Sequence, residues 1–107
     1  MVSKIKHTAI TATGHTVEEK MDTVKRRLSV FVKGNPNTGT FTSATVDVYF
    51  GSESGKFVKS SLSLAVPAGT AGVAGTIDID FEIVCFDVSA LSVIGDATLD
   101  IYAIAHE

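Results

Sequence analysis

The chain has 107 residues, 45% of them hydrophobic and 20% charged, with nine basic and twelve acidic side chains and a net charge of −3. A chain of this length forms one domain, residues 1–107, and buries roughly 60% of the surface it would expose unfolded, so it holds a core without staples. This composition excludes disorder, the acidic balance argues against a nucleic-acid grip, and the single cysteine excludes an intrachain disulfide.

Residues 4–13 are threonine-rich and only weakly alternating, and read as an extended arm or an edge strand, with Gly14 as punctuation. Met1 to His7 is polar with no apolar run behind it, so no export signal is expected. No stretch approaches the ~18 consecutive apolar residues of a membrane span, and the expectation is a protein made in the cytoplasm. Thr16 and Glu19 have the spacing of a capping box. Val17, Met21, Val24 and Leu28 then line one stripe at helical spacing, with Glu18 and Glu19 leading and Lys25, Arg26 and Arg27 trailing. Local signals therefore predict one short helix near residues 17–27, against the competing reading of an edge strand.

From Leu28 the period changes to two. Leu28, Val30 and Val32 face one way, and Ser29, Phe31 and Lys33 the other. Residues 34–39 are a loop dense in turn formers. In the strand over 40–50, Ala44, Val46, Val48 and Phe50 are assigned to the core face, and Phe41, Ser43, Thr45, Asp47 and Tyr49 to the other. Residues 51–55 close a hairpin onto a strand over 56–66, whose core face holds Val58, Leu62, Leu64 and Val66. A small-sided loop over 67–75 follows.

The clearest alternation lies in residues 76–86. Ile77, Ile79, Phe81, Ile83 and Cys85 share one side, and Asp78, Asp80 and Glu82 the other. Three carboxylates on one strand face repel unless a cation lies opposite. The row reads as a solvated face, paired with Lys56 or Lys59, or as an intersubunit salt-bridge surface. Calcium would need more oxygen ligands converging from loops. A loop over 89–92, a turn at Gly95-Asp96 and a last strand over 97–105 complete the chain. The fold expected is mainly β: an antiparallel sandwich, jelly-roll-like or a small barrel.

No chemistry announces itself. His7, His15 and His106 lack metal-ligand spacing and read as surface histidines. Residues 51–55 lack the central serine of a nucleophile elbow. Gly69, Gly72 and Gly75 lack the lysine of a phosphate loop. Cys85, on the apolar side of its strand, reads as a buried small hydrophobe. No catalytic residue, cofactor, metal, nucleic acid, membrane or small-molecule substrate is expected. The faces opposite the assigned core carry Phe31, Phe41, Tyr49, Phe86, Tyr102 and Ile104. That is either a misassigned face or a contact surface. The candidate interface residues are Phe31, Tyr49, Asp78, Asp80, Glu82, Tyr102 and Ile104.

With no disulfide, tryptophan or catalytic set, and with strands rich in Ser, Thr, Val and Gly such as residues 40–50, the chain resembles the small β-sandwich accessory proteins of tailed-phage virions, especially the capsid decoration (cement) type. The resemblance implies a non-enzymatic virion protein. It would self-associate, often as a trimer in that group, and stabilise the shell by contacts with the major capsid protein or another virion subunit. The alternative is a carbohydrate- or receptor-binding module of a tail or adhesin, with Tyr49 and Tyr102 stacking on sugars.

Overall fold

Runs that alternate with a period of two cannot bury their apolar side alone, and here they pair into sheets that bury it against each other. The computed structural model describes residues 3–21, 26–79 and 81–107. Its strands are β1 (Lys4–Ile10), β2 (Gly14–His15), β3 (Glu19–Lys20), β4 (Arg27–Asn35), β5 (Thr40–Glu53), β6 (Lys56–Val66), β7 (Val73–Asp78), β8 (Ile83–Ile94) and β9 (Thr98–His106). One sheet has the order β1-β9-β4-β7. The other has the order β2-β8-β5-β6, with β3 pairing the same edge of β8. The pairings are antiparallel, and the molecule is a β-sandwich.

The core lies between the sheets. Leu28, Val30 and Val32 of β4 and Leu99, Ile101 and Ala103 of β9 meet Val46, Val48 and Phe50 of β5 and Val84, Phe86 and Val88 of β8. Each such Val, Leu or Phe contributes about 1.5–3 kcal/mol by leaving water. Of the links between successive paired strands, the β5–β6 hairpin stays within one sheet, whereas β4–β5 and β8–β9 arch from one sheet to the other. These two arches clasp each other. Asp96 accepts hydrogen bonds from the Thr38 N–H at 3.0 Å and the Thr38 hydroxyl at 2.9 Å, and Asn37 Nδ2 donates to the Asp96 carbonyl at 2.9 Å. The Thr38 hydroxyl bond, followed by main-chain bonds, holds the Asp96 carboxyl below its ordinary value.

The structure corrects several sequence expectations, among them Val58, which is 68% exposed and not core, and His7, which is turned inward against Phe86 and not outward to solvent. First, no helix forms over the described part of residues 17–27. Glu19 and Lys20 pair with Val84 and Ile83, the Met21 N–H donates to the Glu82 carbonyl at 2.5 Å, and β4 begins at Arg27. Residues 22–25 lie outside the described residues. Thr16, the expected cap, instead donates its N–H to the Phe86 carbonyl at 2.8 Å and accepts the Phe86 N–H on its hydroxyl at 3.0 Å. An eleven-residue helix is marginal by itself, and the open edge of β8 offers backbone partners that local propensity does not see.

Second, residues 76–86 are not one strand. β7 ends at Asp78 in one sheet and β8 starts at Ile83 in the other. The alternation is lost at the crossing. Ile77 of β7 packs on the core, but on β8 the inward residues are Val84, Phe86 and Val88, so Cys85 faces outward. The expected acidic row is thereby divided. Asp78 lies 3.9 Å from Arg27, Glu82 lies 3.9 Å from Lys20, and Asp80 is outside the described residues. Lys56 and Lys59 pair with Glu53 and Asp47 instead.

Third, Phe41 is core rather than surface. The register with β8 slips between Phe41 and Ser43, and this bulge turns the ring inward. The ring lies over Gly34, where a Cβ would stand 2.3 Å from it. Fourth, the expected loop over 89–92 is part of β8, which continues to Ile94 through a second slip opposite Thr45 and Val46. Likewise, β7 already begins at Val73.

Candidate functional site

The alternation that fills the core also decides what the outer walls carry. On the four-stranded sheet the outward residues form two adjoining rows. One runs Lys6, Tyr102, Phe31, Ala74, and the other Lys4, Ile104, Ser29, Thr76, from β1 through β9 and β4 to β7. Phe31 is 40% exposed and Ile104 43%. The Phe31 and Tyr102 rings lie nearly parallel, 24° apart with centroids at 6.3 Å. Gly72, at φ +73°, lets the backbone approach the Phe31 ring, to which a Cβ would come within 2.7 Å. Phe31, Tyr102, Ile104 and Ala74 enclose an apolar depression of about 440 Å³, with Lys4 and Lys6 along its β1 side. Arg27 and Lys33 face the same way on β4. Against these four cations stand, among the described residues, two carboxylates, Asp78 and Asp100, and Asp100 is buried, accepting the Ala9 N–H at 3.0 Å.

One corner of this wall is polar. Ser29 Oγ lies 2.7 Å from His106 Nε2 and 3.0 Å from Thr76 Oγ1. A hydroxyl at that distance from an imidazole is the contact a nucleophile makes with its base. Here, however, Ser29 sits mid-strand on β4, flanked by β9 and β7, so nearby main-chain N–H groups are committed to the ladders rather than free to hold an oxyanion. The three groups satisfy one another as a hydrogen-bonded chain.

The wall of the five-stranded sheet differs. His15 lies opposite Asp87, Asp87 opposite Asp47, and Asp47 opposite Ser63. The next row places Lys59, Tyr49 and Cys85 side by side. Two carboxylates directly opposite each other repel. Lys59 Nζ at 3.7 Å from Asp47 and His15 Nε2 at 4.0 Å from Asp87 flank the pair. Asp47 is only 4% exposed, and its Oδ1 has no hydrogen-bond partner among the described residues. Tyr49 meets His15 edge-on with centroids at 5.2 Å. No group of three or more His, Cys, Asp or Glu side chains converges as a metal site among the described residues.

Cys85 Sγ lies 3.7 Å from His15 Nδ1, with Asp87 beyond the ring. The order resembles a thiol, base and acid relay, but the electrostatics oppose it. Burial first, then the charges of Glu18 and Asp87, push the thiol from 9.0 up to about 11. Thiolate at pH 8 is then about 100-fold scarcer than for an ordinary cysteine, and alkylation by iodoacetamide should be slower by at least that factor. Because the folded value is the higher one, the protonated thiol's contribution to stability is complete below pH 9 and is lost as pH rises through 11. Urea midpoints should therefore fall across that window in the wild type and less in Cys85→Ala. An alkylation rate at pH 8 matching an unfolded control would refute the environment described.

Of the residues expected at an interface, Phe31, Tyr102 and Ile104 come together on one wall, with Asp78 at its β7 end. Tyr49 belongs to the opposite wall, and Glu82 to the crossing between β7 and β8. Sequence reading missed the lysines of β1, the Ser29–His106 contact and the ladder from His15 to Ser63. The alternation of Lys4 and Lys6 around Ile5 was a signal for the first, while the others depend on register. No protein-family model matches the chain, and no curated protein or solved structure matches it significantly.

Proposed function

We propose that this chain is a non-enzymatic structural protein of the capsid decoration type, which self-associates and adds contacts to a virion shell. The observation that carries the reading is the Phe31, Tyr102 and Ile104 depression on an outer wall, rimmed by Lys4 and Lys6. An apolar centre with a charged rim on a rigid sheet is the anatomy of a macromolecular contact. Repetition on a symmetric lattice multiplies a modest single contact into stable attachment. The two places where nucleophile and base approach, Ser29 with His106 and Cys85 with His15, lack a free oxyanion cradle and an accessible thiolate respectively.

Quantitative mass spectrometry of virus particles purified from the source of the chain is expected to find it at a copy number set by the capsid lattice. Wild-type protein should co-sediment with shells stripped of it. Phe31→Glu should weaken that binding by about tenfold to a hundredfold, the worth of one buried aromatic anchor. Absence from the particle, or equal binding by Phe31→Glu, overturns the proposal.

A second reading, a carbohydrate-binding module, is favoured by the Phe31 and Tyr102 rings standing beside the hydroxyls of Ser29 and Thr76. It would show as glycan-array hits removed by Tyr102→Ala. Tyr49, edge-on to His15 on the other wall, does not contribute to it.

A further inference from the structure

Among the described residues, the two outer walls carry charge of opposite sign. On the four-stranded wall Lys4, Lys6, Arg27 and Lys33 outnumber Asp78 and Asp100. On the five-stranded wall and its margin Glu18, Asp47, Glu53, Asp87 and Glu82 outnumber Lys20, Lys56 and Lys59. The second wall also has an apolar band of its own. Half-buried Phe57 of β6, Tyr49 of β5 and Ile83 of β8 lie in adjoining rows around the buried Gly51 and Cys85, with Asp87 and the buried Asp47 in the next row and Glu53 and Glu18 exposed at the margin. One wall is an apolar depression edged by lysines, and the other an apolar band edged by carboxylates.

We infer that the occupant of the Phe31, Tyr102 and Ile104 depression is the five-stranded wall of a second copy, in a head-to-tail contact. This rests on the self-association within the proposed function and specifies which faces meet. Charge selects this arrangement over face-to-face pairing. Two copies joined through their four-stranded walls would bring Lys4, Lys6, Arg27 and Lys33 against the same four residues, and two five-stranded walls would bring carboxylates together. Joined head to tail, each lysine rim meets a carboxylate rim, and Phe57, Tyr49 and Ile83 have an apolar surface to cover. The molecule extends 41 × 26 × 21 Å, and a wall spanning the two longer dimensions has room for the roughly 800 Å² per partner that a stable contact buries. A contact between two different faces leaves one of each free on every dimer, so it continues into a ring if the rotation closes and into a filament if it does not.

Mixing two blocked variants tests the inference. Phe31→Glu spoils the first wall and leaves the second intact, and Phe57→Lys does the reverse. By sedimentation velocity each variant should be monomeric alone, the equimolar mixture should form a one-to-one dimer, and the wild type should form larger closed or open assemblies. Because Phe57 is half-buried, Lys4→Glu with Lys6→Glu and Glu53→Lys supply an independent pair on exposed positions. Each should weaken wild-type association by about tenfold or more, and mixing them should restore it. A wild type that is monomeric, or no dimer in either mixture, overturns the inference. So does Phe57→Lys protein that still dimerises alone, since that would mean face-to-face pairing. A monomeric wild type that nonetheless binds shells overturns only this contact and leaves the shell-binding reading standing.

Discussion

Replacing Phe86 by alanine is expected to destabilise the protein by about 3–5 kcal/mol, the usual cost of emptying a buried aromatic site. Phe86 is fully buried at the middle of β8, opposite Val48 of β5, and His7 of β1 packs edge-on against its ring at 6.1 Å. Its side chain thus joins the two sheets directly. Total stability for a single domain is on the order of 5–15 kcal/mol, so the change removes a large share of it. For a chain of this size the fall in Tm should be about 15 °C or more. The contrast is Phe31→Ala on the outer wall, expected to cost less than about 1 kcal/mol because the ring already meets water. Urea unfolding followed by circular dichroism measures both. Were Phe86→Ala as mild as Phe31→Ala, Phe86 would face outward, as unbroken alternation from Thr76 implies, and the crossing between β7 and β8 would be wrong.

Gly34→Ala should cost about 1–3 kcal/mol, although alanine is the smallest possible addition and suits a strand better than glycine. The new Cβ would stand 2.3 Å from the Phe41 ring. That ring cannot swing clear, because it is buried at the point where β5 enters the sandwich. The strain can be relieved from the other side. Phe41→Leu alone should destabilise by leaving space, yet in combination with Gly34→Ala the loss should be smaller than the sum of the two, by roughly 0.5–1 kcal/mol or more for residues in contact. Strict additivity in that double-mutant cycle would show that Phe41 does not lie over Gly34.

Both predictions arise where the sequence pattern and the structure part company. Alternation reports which residues of one strand share a side, but not where a strand ends or whether it carries a bulge. For β4 and β9 the alternation is uninterrupted. Phe31, Tyr102 and Ile104 are therefore legible as outward residues, and the candidate wall can be anticipated from its own strands. On β5 a single slip after Phe41 reverses that one side chain, while Val46, Val48 and Phe50 remain on the expected face. In residues 76–86 the alternation continues across a chain crossing. Asp78 and Glu82, in sequence members of one acidic row, each lie 3.9 Å from a different cation, Arg27 and Lys20. The segment from Thr16 failed for another reason: its helical signals are local, and the β8 edge that overrules them comes some 65 residues later.

Composition and the period of two were enough to determine a mainly β protein with one face of each strand turned to a core, because burying apolar surface is a requirement each strand carries within itself; that the segment after Thr16 is strand and not helix was settled only by the edge of β8. Which strands neighbour one another was decided only in three dimensions, and with it the opposite charge of the two walls, the approach of Ser29 to His106 and the turning of Cys85 toward His15. Those are properties of register between distant segments. Register is set by backbone hydrogen bonds and by how side chains from two sheets fill one space, and neither is encoded at any single position along the chain.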